Sequence, residues 1–449
     1  MSLLERVKEQ EEALQEVDGA LETRRRVARE ARRELRSRLK EELVARLGLE
    51  AMSGMVAGDD VARAREELGI ACQAILNGPG FEGTTEQERT TLTAQVLDEV
   101  CGLGPLQPLL DDDTVTEVMV NGCDALFFER AGKIEPSEVT FESEEQIMVV
   151  IDRILAPLGR RLDRANPIVN ARLANGDRVN AVAAPVAING PSVTIRKFSN
   201  RITQLSELVG LGSLPPWYAQ LLSWAVRLRQ DIAVAGGTGS GKTTLLNAPS
   251  CEIDQAERIV TIEDSAELRF ESHPDVVRLE ARDASIEGSG AITIRDLVKN
   301  ALRMRPDRIV VGECRGGETI DMLQAMNTGH DGSLTTLHAG TAEEAVLRLV
   351  LMARFGMDLP ADIIEEQIAT ALDFIVMGRR LPNGKRRITS MSAVGRREGG
   401  GVALEECISY DLAHDRWRLV KEPGFVERAV EEGALDEGEV REWRSLVAS

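Results

Sequence analysis

GGTGSGKTT, residues Gly236–Thr244, fits G-x-x-x-x-G-K-S/T at the point where a short apolar strand, Ile232–Ala235, gives way to a helix. Gly236, Gly237, Gly239 and Gly241 let backbone N–H groups turn toward the β- and γ-phosphates of a nucleotide, with Thr238, Ser240 and Thr244 completing the binding segment. The helix N-terminus behind the loop adds its partial positive charge. Lys242 is placed to bridge the phosphates, and the Thr243 hydroxyl to ligate Mg2+. The bland alternative is a glycine turn that binds nothing, and it does not explain why every motif position is met. Pro249 falls about two turns into the helix, where a ring without an N–H should bend or end it.

Outward from the loop, strands and helices alternate as far as about Gly378, the pattern of a parallel sheet wrapped by crossovers. In such sheets, chemistry gathers at the carboxyl ends of strands. Arg308–Val311 runs into Gly312 and Glu313, and a carboxylate there can orient or deprotonate an attacking water. Strand Arg258–Ile262 delivers Glu263 and Asp264 together, and adjacent acids can hold the water shell of Mg2+, which gives Glu263 a metal-proximal role. Asp264 or Ser265 can also cap a following helix. Strand Ser333–Leu337 ends in His338, a candidate to sense the γ-phosphate or touch a neighbouring subunit, while His330 precedes the strand in a Gly-flanked turn. Only four histidines occur in the chain, so two within one short segment carry weight.

Transferring phosphates also attract arginines. Arg172, Arg178 and Arg196 lie on predicted strands before the loop, and Arg303 and Arg315 flank Glu313. Each alone reads as a salt-bridging surface residue. As a set, at least two are expected to reach nucleotide.

The 449 residues leave room for two or three domains. In the first sixty, Leu4, Val7, Leu14, Val17, Leu21, Ala28, Leu35 and Leu39 recur at helical spacing, but Glu11, Asp18, Arg25 and Arg32 interrupt a heptad seam. Arg24 to Lys40 is strongly basic, either a surface for acidic partners or a solvated helix. The expected organisation is a charged helical extension over 1–60 and a helical segment over 61–108. A small α/β domain follows over 109–198, with strands in VTEVMVNG, DALFFERAGKIEP and DRVNAVAAPVAINGPSVTIRKF and a helix over Glu145–Leu158. A linker over 199–216, a nucleotide-binding domain over 217–422 and a charged helical tail over 423–449 complete it.

A net charge of -20 argues against duplex nucleic acid as the main partner, since that binding rests on Lys and Arg at phosphates. Six cysteines show no C-x-x-C spacing and read as reduced thiols. No stretch nears the roughly 18 apolar residues of a membrane span, and the start, MSLLERVKEQEE, has no apolar signal core. The expected location is cytoplasmic.

The ordered segments GGTGSGKTT, TIEDSAEL, TIRDLVKNALRMRPDRIVVGECRGGET and NTGHDGSLTTLHAG resemble the Walker A, Asp box, atypical Walker B and His box of the type II/type IV secretion ATPase superfamily. VTEVMVNG, GRRLD, ARLANGDRVNA and PSVTIRKF are similar to segments of the CpaF-like ATPases of tight-adherence (Tad/Flp) pilus systems. The resemblance covers about Gly102 to Val394. It implies an α/β chain with a RecA-like P-loop ATPase domain behind a small α/β N-terminal domain and a helical extension. It further implies ATP and Mg2+, a homohexamer, and force passed to an inner-membrane platform protein for pilus assembly, with retraction of the same pilus left open, the enzyme being peripheral to that membrane through its partners. By matching positions, Lys242, Glu263, Glu313 and His338 carry over. Pro249 departs from the family's usual helix former, the first hundred residues match poorly, and the tetracysteine pattern of related branches is missing. A type IV secretion ATPase moving DNA or protein, a slow nucleotide-dependent switch, and a RecA-type nucleic-acid motor are the competing readings.

Overall fold

The computed structural model describes residues 30–48, 50–52, 55, 60–173, 175–197, 204–270, 273–282 and 290–448. The chain divides into two compact units, Met1–Phe198 and Ser199–Ser449.

In the first unit, the helical positions expected from Leu4 to Ala28 lie outside the described residues. Residues 30–47 are helical. Leu39 and Leu43 are fully buried, packed with Leu68 and Cys72 of helix Val61–Leu76 and Val96 of helix Glu86–Cys101. The last of these opens on a capping box, in which Thr85 and Glu88 satisfy each other's backbone N–H groups. The basic stretch is neither simply solvated nor wholly open to an acidic partner. Arg36 and Lys40 pair with Glu99, Arg33 and Arg36 with Glu142, and Arg38 with Glu42, so at least four of its cations are paired within their own unit.

The rest of this unit is a six-stranded antiparallel sheet. Its strands are β1 (Val115–Asn121), β2 (Leu126–Arg130), β3 (Lys133–Pro136), β4 (Ile168–Arg172), β5 (Arg178–Val182) and β6 (Ser192–Arg196), in the order β3-β2-β1-β6-β5-β4. Alternation sends Val118, Val120, Val179, Val193 and Ile195 into one core with Ile147, Ile151 and Ile154 of helix Glu144–Leu155. The predicted helix over Glu145–Leu158 thus ends earlier, its last residues forming a 3-10 turn, Ala156–Leu158. Arg172 stands opposite Arg178, and Arg178 opposite Arg196, which in turn faces Glu117. Directly paired residues share a face, so these four form a transverse row on the side away from Val179 and Ile195.

The second unit is built on nine strands: β7 (Ile232–Gly236), β8 (Ile259–Glu263), β9 (Val276–Glu280), β10 (Arg308–Val311), β11 (Leu334–His338), β12 (Phe374–Arg380), β13 (Arg386–Arg396), β14 (Val402–Asp411) and β15 (Arg416–Leu419). Their order is β15-β14-β13-β12-β7-β11-β10-β8-β9. From β12 to β9 the neighbours are parallel, and β13 to β15 extend the sheet antiparallel. Successive residues of β7 belong to two cores: Ile232 and Val234 to one, Ala233 and Ala235 to the other. Helices Pro216–Arg227 and Lys242–Ser250 cover the first face. Helices Ile294–Ala301, Glu318–Met326, Ala342–Gly356 and Ala361–Ala371 cover the second. Burial on both faces is why these strands read as apolar runs. The second unit is a RecA-like α/β domain, which follows the small α/β domain in the chain.

Two stretches are more structured than their composition suggests. Within the interval read as a linker, helix Leu205–Gly210 buries Leu205 and Leu208 in the first core; residues 199–203 lie outside the described residues. The charged stretch after Pro423 forms helices Gly424–Glu431 and Glu437–Ala448. Phe425, Val426, Val440 and Trp443 enter the same core, and Trp443 Nε1 donates to the Trp217 carbonyl at 2.7 Å. At the amino-terminal edge of the sheet, fully buried Arg308 meets Glu257 and donates to the Gly332 carbonyl, which ties the starts of β8, β10 and β11 together.

Candidate active site

Because β12, β7, β11, β10 and β8 run parallel, their carboxyl ends share one edge of the sheet. Along it stand, in order, Gly378, Gly236, His338, Gly312–Glu313 and Glu263, with Gly378, Gly236 and His338 in direct register. The groups picked out on separate strands are therefore neighbours. The intervening helices account for their spacing in sequence.

The loop after β7 needs its glycines. A Cβ on Gly236 would lie 2.4 Å from the Gly378 carbonyl oxygen and 2.5 Å from Ser240 Oγ. Gly239 and Gly241 take left-handed φ values of +71° and +87°. Lys242 opens the next helix and is only 9% exposed. Its Nζ lies 3.4 Å from the Gly237 carbonyl oxygen, and 3.4 and 3.3 Å from Nδ1 and Nε2 of His338. Pro249 is accounted for by the helix length: Lys242–Ser250 stops one residue after it. The ring sits in the last turn and ends the helix rather than kinking a longer one.

His338 is the hub. Burial holds its pKa below the ordinary imidazole value, and the Lys242 charge pushes the same way against the pull of Glu313. Both effects favour the neutral imidazole, whose tautomer is set by its neighbours. Its Nε2 lies 3.0 Å from Glu313 Oε1. The alignment is poor, and that oxygen has no hydrogen-bond partner among the described residues, so the contact is a close approach only. The other Glu313 oxygen binds Arg315 Nη2 at 2.7 Å. Arg315 also reaches Asp264 at 3.3 Å, which places that acid at the rim, 59% exposed.

Glu263 is the opposite case. It is 2% exposed, and its Oε2 accepts from the N–H groups of Glu267 and Leu268 at 2.6 and 3.0 Å. Its Oε1 is buried with no hydrogen-bond partner among the described residues. Burial pushes its pKa up to about 7, against the two backbone donors that favour the carboxylate. Gly312 makes room for it, since a Cβ there would meet Glu263 Cγ at 2.8 Å. No helix begins over residues 264–270, so the capping role open to Asp264 and Ser265 is not taken up. The unpartnered Glu263 oxygen and the Thr243 hydroxyl, at the start of the P-loop helix, are oxygen donors of the kind Mg2+ takes.

A family model described as "Type II/IV secretion system protein" matches residues 99–410. The chain belongs to that family. A Mycobacterium tuberculosis (strain H37Rv) protein named as a candidate conjugal transfer protein is 39% identical over 308 residues, which are 67% of this chain and 87% of that one. The type IV secretion system protein VirB11 of Brucella abortus is 36% identical over 301 residues, 61% of this chain and 83% of its own. Among solved structures, the VirB11 ATPase of Brucella suis is 32% identical, with a TM-score of 0.36, over 64% of this chain and 95% of that one.

For a member of the type II/IV secretion system protein family, the site gathers some expected residues and omits others. Arg315 is present. Arg303 lies before β10, at the far edge of the sheet, and donates to the Lys299 carbonyl. His330 likewise precedes β11 and approaches the Ala325 carbonyl at the end of helix Glu318–Met326, a structural position. Arg172, Arg178 and Arg196 belong to the first unit, in the row described above.

Two residues at the loop were missed in the sequence. Arg386 Nε donates to the Gly239 carbonyl at 3.0 Å, and a Cβ on Gly239 would lie 3.3 Å from Arg380 Nη1. The available signal was the run GRRLPNGKRR at Gly378–Arg387, dense in cations within an acidic chain. Only the pairing of β12 with β7 brings it to the loop.

Proposed function

We propose that this P-loop ATPase is the hexameric motor of a tight-adherence type pilus, hydrolysing ATP to drive filament assembly through an inner-membrane platform protein. The observation that carries the reading is the convergence of Lys242, His338, Glu313 and Glu263 at one sheet edge. Lys242 binds the β- and γ-phosphates from the loop Gly236–Thr244. Glu313, with Oε1 turned away from Arg315, orients the attacking water and takes its proton. Neutral His338 hydrogen-bonds the γ-phosphate, and Arg315 spreads the charge that develops there. Thr243 and Glu263 would hold Mg2+, whose charge would offset that of the phosphate oxygens.

The charge of -20 and the small-domain segments similar to CpaF-like ATPases support a pilus over a nucleic-acid cargo. A second reading, a type IV secretion ATPase moving DNA or protein, is favoured by the names of the relatives. A chromosomal Glu313→Gln replacement separates them. Surface filaments should vanish while the protein level holds. If filaments persist and transfer of DNA or protein to recipient cells stops, the second reading replaces the first.

A further inference from the structure

The hairpin joining β12 and β13 touches the phosphate loop in a way the site as described does not use. Since Gly378 of β12 stands beside Gly236 of β7, the residues beyond it travel past the sheet edge alongside the loop. Arg380 and Arg386 face each other across the base of this hairpin. Arg386 Nε donates to the Gly239 carbonyl at 3.0 Å. At the other end of that same peptide unit, the Ser240 N–H donates to the Gly237 carbonyl at 3.3 Å. Both polar atoms of the Gly239–Ser240 peptide are thus held. The approach is close at the two left-handed glycines: a Cβ on Gly241 would lie 3.2 Å from Arg386 Cδ, and one on Gly239 3.3 Å from Arg380 Nη1. The loop therefore needs glycine at these positions for its own dihedrals, and the hairpin's arginine side chains lie close against them.

We infer that Arg386 is a positioning residue for nucleotide binding, which fixes the Gly239–Ser240 peptide from outside the loop so that the phosphate cradle is formed before ATP arrives. The inference rests on the reading of Gly236–Thr244 as the nucleotide site. A loop that is already ordered loses less freedom when the ligand binds, so the contribution falls on affinity more than on the chemical step. The donor is Nε, at the inner end of the guanidinium. Glutamine carries an amide nitrogen at the same bond count from Cα and can replace that donor without its charge, whereas lysine keeps a charge but places its donor one atom further out.

The test is ATP binding by the full chain, with thermal unfolding midpoints measured alongside, for wild type, Arg386→Ala, Arg386→Gln and Arg386→Lys. Arg386 is exposed, so the midpoints should coincide. Arg386→Ala should weaken ATP binding by about five- to tenfold, as expected for loss of one hydrogen bond at a preorganised loop, with turnover at saturating ATP changed less than about twofold. Arg386→Gln should restore affinity to within about twofold of wild type, and Arg386→Lys should restore no more than that. Unchanged affinity in Arg386→Ala overturns the inference. So does the reverse pattern, with lysine restoring binding and glutamine failing, because the charge alone would then be what matters. A wild-type chain that binds no ATP is a different failure, and it would remove the nucleotide site itself.

Discussion

Glu313→Gln should slow steady-state phosphate release by about 10²- to 10³-fold while ATP affinity stays within about threefold of wild type. The side chain keeps its shape and its oxygen toward Arg315, which it meets at 2.7 Å. What it loses is the basic oxygen, Oε1, that lies 3.0 Å from His338 Nε2 without a hydrogen-bond partner among the described residues. An interaction made only as the water attacks appears in turnover and spares ground-state binding. Phosphate release in parallel with nucleotide titration checks both halves. Wild-type turnover in the variant would remove Glu313 as the catalytic carboxylate.

Lys242→Ala should reduce ATP affinity by at least about a hundredfold, the scale of losing a desolvated ammonium–polyphosphate contact. Lys242 is 9% exposed and set between the Gly237 carbonyl and the His338 ring, so its charge acts in a partly dry site. Its removal should also raise the His338 pKa, because the ammonium is the second cause, after burial, that holds it down. Titration with a fluorescent ATP analogue reads the first effect, and imidazole proton shifts read the second. Binding that survives intact would show that the phosphates sit elsewhere.

Local rules made much of this legible. The P-loop depends on glycines at fixed offsets, and the strand ends depend on β-branched runs broken by Gly or an acid; both are visible without tertiary contacts. A parallel sheet then forces Glu263, Glu313 and His338 to one edge, which is why separate motifs could be read as a single site. The same logic rejects Arg303 and His330, since each precedes its strand and so lies at the opposite edge. Arg386 was out of reach, because its role depends on which strand lies beside β7, and hydrophobic alternation does not encode strand order. Burial was also hidden. Glu263 and Asp264 are adjacent acids in sequence, yet the first is 2% exposed on the last residue of β8 and the second is 59% exposed at the rim. The C-terminal helices were masked by charge, although few apolar residues are enough when each helix buries its own, Phe425 and Val426 on one and Trp443 on the other, in the same core.

The central claim is that groups from different strands act as one unit on a single phosphate. A double-variant cycle on phosphate release, comparing His338→Ala, Glu313→Gln and the pair together, tests it most directly. If the two act as a unit, the double variant should be no slower than Glu313→Gln alone, to within about threefold. Losses that multiply across the pair would mean that His338 and Glu313 act independently, and would contradict the single hydrolytic site.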